Sequence, residues 1–347
     1  MNIFRGFQHP GVARACALTI GNFDGVHRGH QAMLALLEAE ARQRGVPSCV
    51  LTFEPHPRDY FARQQQRADL APARIGTLRD KLCELARCGV QQTVVLPFNE
   101  RLARLSAQDF IDQVLVAGLG ARYVLVGDDF RFGSRRAGDY RMLDAAGQRQ
   151  GFEVARMNSY EVHGQRVSSS AVRQALATGD MDEAARLLGR PYSISGHVVH
   201  GRKLGRELGR SDAGSGGFPT LNLRFSHWKS AASGIFAVWV HGLQDEPLPG
   251  VANLGVRPSL DPDDVNGGRV LLETHCLAWP AHLGPEGGYG KIIRVELMHK
   301  LHDERKYDSL AALTAGIARD CDEARAWFAA AAATHAETRR QTTRDRI

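Results

Sequence analysis

The sequence predicts two domains: a Rossmann-like α/β domain on a parallel sheet, then a small antiparallel β-barrel with a C-terminal helix. Three observations carry this. The chain has 347 residues, which suits two domains at about 150 residues each. Over residues 15–189, apolar runs of strand length alternate with amphipathic helical stretches, the pattern of a parallel βαβ sheet. After Pro191 helical periodicity stops and about six short strand-like runs follow, the pattern of a small closed barrel. The expected boundaries are 1–189 and 190–333, with a mobile charged tail over 334–347.

Composition narrows the class. An apolar share of 43% with 24% charged residues is ordinary for a globular protein with ample material for two cores. The net charge is +6. However, the arginines are interleaved with acids and no aromatic-basic motif appears, so no nucleic acid is expected. Positive potential also suits an enzyme for nucleotides and phosphorylated substrates. The six cysteines are scattered and form no C-x-x-C pair, which predicts reduced thiols in a cytoplasm. The N-terminus has no signal-peptide core and no apolar run is long enough to span a bilayer, so no membrane partner is expected. The expected state is a monomer or weak homo-oligomer.

The first domain is organised around residues 18–31. A strand over 15–20 runs into Gly21, Gly25 and Gly29, with His27 and His30 among them, and a helix follows as far as Gly45. A Gly-rich turn from strand to helix N-terminus favours an anion. Two imidazoles three residues apart share a face of a nascent helix. They suit hydrogen bonding to a phosphorane as charge builds up. A partial metal site is the competing reading, but no third ligand lies nearby.

The next strand, 49–53, is followed by Glu54-Pro55-His56-Pro57, read as a stiffened loop. A helix over 78–88, a strand over 93–96, a helix over 107–116 and a strand over 123–126 come next. Phe110, Ile111, Val114 and Leu115 form one apolar face. The loop 127–133 offers Asp129, Phe130 and Phe132. The two rings either pack beneath the sheet or form a wall for a flat ligand. In parallel sheets ligands sit beyond the carboxyl ends of the strands, so these loops converge. A helix over 140–148 and a strand over 152–162 precede Ser168, Ser169 and Ser170 with Arg173 one turn on. One serine there is an N-cap. Three with an arginine make a second anion site. A helix over 182–188 closes the domain.

The full run Gly-Asn-Phe-Asp-Gly-Val-His-Arg-Gly-His-Gln (21–31) resembles the adenylyltransferase module of bacterial FAD synthetases, including the His-x-Gly-His signature of its superfamily. The resemblance implies that Gly21, Asn22, Phe23, Asp24 and Gly29 contact nucleotide. His56, in a Phe-x-Pro-His-Pro loop, would border the same site. It implies FMN against Asp129, Phe130 and Phe132. Ser168 to Ser170 and Arg173 resemble the Ser-Ser-Thr-x-x-Arg motif closing the triphosphate site, with Ser170 where Thr is usual.

Strands in the second domain are expected over 193–199, 218–225, 234–242, 250–256, 270–277 and 291–297, then a helix over 310–330. Gly201, Gly205 and Gly209 sit among basic residues. They are turn residues or a loop over phosphates. Thr220 and Asn222 are two apart on a strand, so they face alike, and both are hard oxygen donors suited to Mg²⁺. Glu273, among apolar neighbours, faces outward or has a function.

Gly-x-Val-x-His-Gly, Pro-Thr-x-Asn, the run 250–258 and Leu-Glu-Thr-His resemble the riboflavin kinase domain of the same bifunctional enzymes, so the likeness spans about 16–328. Three departures stand out. Leu221 replaces Ala, His302 stands where Arg is common, and residues 210–217 interrupt the glycine loop. The insertion reads as a flexible lid or as a cause of weak kinase activity. The resemblance implies that ATP phosphorylates riboflavin to FMN, with Glu273 as base and Thr220 and Asn222 holding Mg²⁺ with nucleotide. It implies that ATP then adenylylates FMN to FAD, with His27, His30, Ser168 and Arg173 stabilising phosphate charge. Two rivals remain: an FMN adenylyltransferase with a flavin-binding barrel, and a non-enzymatic flavin- or RNA-binding regulator.

Overall fold

The computed structural model describes residues 1–162, 164–200, 218–225, 229–256, 270–284 and 286–344, with the backbone alone over 335–344. The chain divides into two compact units. The first holds Met1–Pro72, Leu78–Val172 and Leu187–Gly189. The second holds Ala73–Thr77, Arg173–Arg186 and Arg190–Ile347.

The first unit is built on a six-stranded sheet in the order β1-β4-β3-β2-β5-β6. The strands are β1 (Asn2–Arg5), β2 (Cys16–Ile20), β3 (Ser48–Glu54), β4 (Gln92–Pro97), β5 (Ala121–Gly127) and β6 (Glu153–Met157), and every pairing is parallel. All five residues of β2 are buried, as a strand covered on both faces requires. Its side chains alternate between two cores. Cys16, Leu18 and Ile20 join one with Ile111 and Val124, and Ala17 joins the other with Leu34, Leu37 and Leu85. From β2 the chain moves to β3 on one side and later to β5 on the other. The switch in strand order, where parallel sheets open a crevice, therefore lies between β2 and β5.

Helix α1 (Arg28–Arg44) ends at Gly45, whose φ of 63° is the left-handed C-cap glycine adopts most easily. Helices α2 (Pro57–Gln64), α3 (Leu78–Arg87), α4 (Glu100–Arg104), α5 (Ala107–Asp109) and α6 (Tyr140–Gln150) fill the connections. The helix expected over 107–116 begins as α5 and continues as a π-wound stretch, Phe110–Val116, burying the four predicted apolar residues. The unit differs from the sequence reading in three places. The loop expected at 54–57 opens into α2, because Pro57 at the first helical turn sacrifices no hydrogen bond. The strand expected over 152–162 stops at Met157. A hairpin, β7 (Glu161–Val162) and β8 (Gln165–Arg166), then turns through Gly164 at a φ of 77°. β1 was not foreseen, since its mostly exposed side chains carry no apolar pattern.

Helices α7 (Ser169–Thr178) and α8 (Met181–Leu188) precede the barrel. The barrel strands are β9 (Tyr192–Val199), β10 (Leu221–Arg224), β11 (Gly234–His241), β12 (Leu248–Val256), β13 (Val270–Cys276) and β14 (Ile292–His302). They close in the order β10-β13-β12-β11-β14-β9 with antiparallel pairing throughout. Helix α9 (Leu310–Arg344) packs Cys321 and Ala324 against Ala237 and Val251. It runs well past the predicted end at 330 and through most of the tail expected to be mobile. The tail's Ala, Glu, Gln and Arg residues favour helix and no Gly or Pro interrupts them. β10 begins at Leu221, so the strand expected from 218 is shorter and Thr220 lies before it. Gly201, Gly205 and the insertion 210–217 lie outside the described residues.

Candidate active sites

In the first unit, the chain leaves β2 and turns through residues 21–27 into α1. Phe23 and Val26 hold φ values of 48° and 40° although neither is glycine. Such strain is tolerated where packing fixes it, and both side chains are fully buried in the core. Gly21 and Gly29 allow close approach. A Cβ on Gly21 would meet the Phe23 ring at 3.1 Å, and one on Gly29 would meet the His27 ring at 3.3 Å and the Val167 carbonyl at 3.4 Å.

His27 is the N-cap of α1, and its Nδ1 accepts from the His30 backbone N–H at 3.3 Å. The two imidazoles stack at 3.7 Å and 16°, and Phe23 lies 4.8 Å from the His30 ring. His30 Nδ1 and Asn22 Oδ1 are buried and have no hydrogen-bond partner. Burial first, then the charges of His27 and Lys81, hold His30 well below the usual histidine range. His30 is therefore neutral near pH 7 and presents one N–H donor to an incoming group. Asp24 is buried, and its carbonyl accepts from Ser169 Oγ at 3.0 Å, tying the loop to the start of α7.

The three serines separate by environment. Ser168 Oγ caps α7 by accepting from the Ala171 N–H at 3.2 Å. Ser169 holds Asp24, and Ser170 is exposed. Arg173 stands one turn along α7, where its Nε donates to the Ala73 carbonyl at 2.7 Å. His56 is buried and caps α2, its Nδ1 accepting from the Arg58 N–H at 3.1 Å. The loops after β2, β3 and β5 all leave the same end of the parallel sheet.

In the loop after β5, Phe132 is 7% exposed and belongs to the core. Phe130 stacks on it at 5.3 Å and 19°. Of the two rings, Phe130 is the one left for a ligand to meet. Ser159 and Arg166 bind Asp128, and the serine hydroxyl above all holds that carboxyl below its usual range. Asp129 lies 3.6 Å from Arg166 and is 82% exposed.

Sequence reasoning missed Lys81 and Thr52. Lys81 is 4% exposed and donates to Thr52 Oγ1 at 3.3 Å. Its signal was available, since it occupies the apolar stripe of α3 with Leu85 one turn on.

In the barrel, register places Asn222 of β10 opposite Glu273 of β13, and Glu273 opposite Asn253 of β12. Side chains of β13 alternate: Val270, Leu272, Thr274 and Cys276 are buried, while Glu273 and His275 share the half-buried face. Asn222 is 3% exposed, and its Nδ2 donates to the Thr220 carbonyl at 3.2 Å and lies 3.5 Å from the Thr220 hydroxyl. Thr220 and Asn222 are thus joined through the Asn222 amide, with Thr220 one residue ahead of β10. Asn222 Oδ1 and Asn253 Oδ1 are buried without hydrogen-bond partners. Uncommitted oxygens beside a carboxylate are the hard donors a divalent magnesium ion takes, so the residues fit that ion. His275 Nδ1 meets the Pro219 carbonyl at 3.0 Å and anchors the segment before Thr220. Burial holds its ring below the usual histidine range, against the Pro219 bond that raises it.

Comparisons with known proteins find two families in separate segments of the chain. The FAD synthetase family matches residues 9–171, and the riboflavin kinase family matches residues 188–328. The chain is 44% identical over 330 residues to the bifunctional riboflavin kinase/FMN adenylyltransferase of Escherichia coli K12, covering 94% of this chain and 98% of that one. The proteins of the same name from Pseudomonas fluorescens and Haemophilus influenzae are 44% and 40% identical over 92% and 94% of this chain, and 95% and 99% of theirs. A crystal structure described as a macrolide-efflux protein from Streptococcus pneumoniae has a TM-score of 0.71 at 26% identity, over 93% of this chain and 98% of that one. Among the described residues, no helix is long and apolar enough to cross a membrane.

Proposed function

This chain belongs to the bifunctional riboflavin kinase/FMN adenylyltransferase family, and from that premise we propose how its residues divide the work. The protein is a transferase with two activities. It phosphorylates riboflavin with ATP to give FMN, and it transfers AMP from ATP to FMN, giving FAD and pyrophosphate. We place the domain boundary near 189/190, at the start of the segment that the riboflavin kinase family matches.

For adenylyl transfer, the FMN phosphate is the nucleophile, so no general base is required. His30 and His27 donate to the reacting phosphates, and the loop with Gly21, Asn22, Phe23, Asp24 and Gly29 seats the nucleotide. Ser168, Ser170 and Arg173 meet the leaving pyrophosphate, with Ser169 and His56 holding their loops. Phe130, resting on Phe132, faces the isoalloxazine ring, with Asp129 as a polar contact. What supports this assignment most is the pair of buried, uncommitted polar atoms, Asn22 Oδ1 and His30 Nδ1, at the crevice of the sheet.

For riboflavin phosphorylation, Glu273 takes the proton of the ribityl hydroxyl as it attacks the γ-phosphorus. Thr220 and Asn222 hold Mg²⁺, which supplies charge neutralisation when bound. Gly201 and Gly205 are assigned to nucleotide binding on the resemblance alone. We place the enzyme in the cytoplasm, where its free cysteines stay reduced. It acts as a monomer or weak homo-oligomer on small molecules, without nucleic acid.

The test is to incubate the pure protein with riboflavin, ATP and Mg²⁺ and to separate the products by chromatography. FMN should appear first and FAD after it, and a chelator should stop the phosphorylation. FAD made from added FMN, with no FMN made from riboflavin, would reduce the protein to an adenylyltransferase.

A further inference from the structure

The buried lysine beneath the 21–27 loop has a consequence that rests on the adenylyl-transfer reading of this site. Lys81 is 4% exposed, and its Nζ donates to Thr52 Oγ1 at 3.3 Å. Thr52, at the end of β3, is fully buried, and its hydroxyl donates in turn to the Asn22 carbonyl at 3.3 Å. An ammonium thus reaches, through one hydroxyl, the backbone of Asn22, whose own side-chain Oδ1 is buried without a hydrogen-bond partner.

We propose that Lys81 is a positioning residue for adenylyl transfer, which acts through Thr52 to fix the Asn22 backbone and so the nucleotide-binding shape of the loop.

A methionine would fill a volume similar to that of Lys81 without taking an ammonium out of water. The neighbouring side chains of α3 show what the position otherwise takes, since Leu85 one turn on is fully buried apolar core. What a methionine lacks is a donor for Thr52. With Lys81 donating to its oxygen, the Thr52 proton is directed at the Asn22 carbonyl, and the chain of bonds has one polarity. The charge also lies under a cradle built for an anion, where low dielectric strengthens its pull on a polyphosphate. It contributes, after burial and His27, to keeping His30 uncharged.

The experiment compares Thr52→Val, Thr52→Ser, Lys81→Met and His30→Ala in the full-length protein. FAD formation from FMN, riboflavin phosphorylation and thermal midpoint are read for each. Thr52→Val keeps the shape and removes the hydroxyl. It should lower kcat for FAD and raise KM for ATP, with a combined effect of about tenfold or more. KM for FMN should stay put. Lys81→Met should lose at least as much in FAD formation. Thr52→Ser should recover to within about twofold of wild type, because it keeps the donor. Phosphorylation should not change in any of them. If Thr52→Val and Lys81→Met make FAD at the normal rate while His30→Ala does not, the role of Lys81 is overturned and the site assignment stands. If His30→Ala is also normal, the site assignment fails with it. Equal losses in both activities and in thermal midpoint would make Lys81 a folding residue and overturn the proposal.

Discussion

At the scale of single residues, surroundings decide chemistry that side-chain type leaves open. His30 is held neutral by burial and by the charges of His27 and Lys81, so in the proposed adenylyl transfer it acts as a donor and not as a fixed cation. His30→Ala should lower FAD formation about a hundredfold, the loss of one oxyanion-type donor, while FMN formation from riboflavin persists in the same assay. The same burial makes a stability prediction. The native state disfavours the protonated ring, and the unfolded chain titrates near the usual 6.5. The unfolded state therefore binds more protons below that value. This contribution is complete above about pH 6.5 and is lost as pH falls toward the depressed native value. His30→Gln should flatten the acid side of the thermal midpoint plotted against pH, and an unchanged slope below pH 6.5 would contradict the burial argument. Legibility at this scale was uneven. The two histidines and the three serines could be picked out by type and spacing. Which serine caps, which ties Asp24 and which is exposed depends on packing between segments about 145 residues apart. Phe132 was read with two outcomes open, and the core took it.

At the scale of elements, what could be read were strands whose burial leaves a pattern. β2, β3, β4 and β5 are apolar runs because both faces are covered. β13 alternates because one face is filled by the barrel core. β1 and the β7–β8 hairpin lack such a pattern, and they escaped the reading for that reason. The alternation of β13 also places Glu273 off the barrel core, in a row with Asn222 and Asn253. Glu273→Gln keeps the volume and removes the basicity. It should block riboflavin phosphorylation and leave added FMN convertible to FAD, and an unchanged kinase rate would rule the residue out as base. The join of β14 to α9 makes a separate prediction. His302 Nε2 lies 2.8 Å from Asp320 Oδ1, with side chains 11% and 10% exposed. Removing one partner of such a nearly buried hydrogen bond leaves the other polar group unsatisfied, at a cost of about 1–3 kcal/mol. His302→Ala should lower the thermal midpoint, and His302→Arg, which keeps a donor for Asp320, should keep it near wild type.

At the scale of the whole molecule, the histidine loop and the Asn222–Glu273–Asn253 row each rest on a core of their own. The histidine loop belongs to a unit with two apolar clusters on either side of a parallel sheet. The Asn222–Glu273–Asn253 row belongs to a closed barrel with helix α9 against it. The division was legible because a change in periodicity near Pro191 is visible without coordinates. The assignment of 73–77 and 173–186 to the second compact unit was not, because it depends on contacts far apart in sequence, such as Arg173 to the Ala73 carbonyl. Separate cores imply separable activities, and the two single-site variants test this directly. His30→Ala should stop at FMN, and Glu273→Gln should need FMN supplied. FMN is a small soluble molecule, so it can leave one protein and reach another. A mixture of the two variants given riboflavin and ATP should therefore make FAD, although neither does so alone. Its appearance should lag behind that of FMN, and the lag should shorten as the Glu273→Gln protein is raised at fixed His30→Ala. FMN accumulation with no FAD from the mixture, while Glu273→Gln still converts added FMN, would mean that FMN is retained by the barrel in which it forms. The two sites would then be coupled through a bound intermediate and would not act independently.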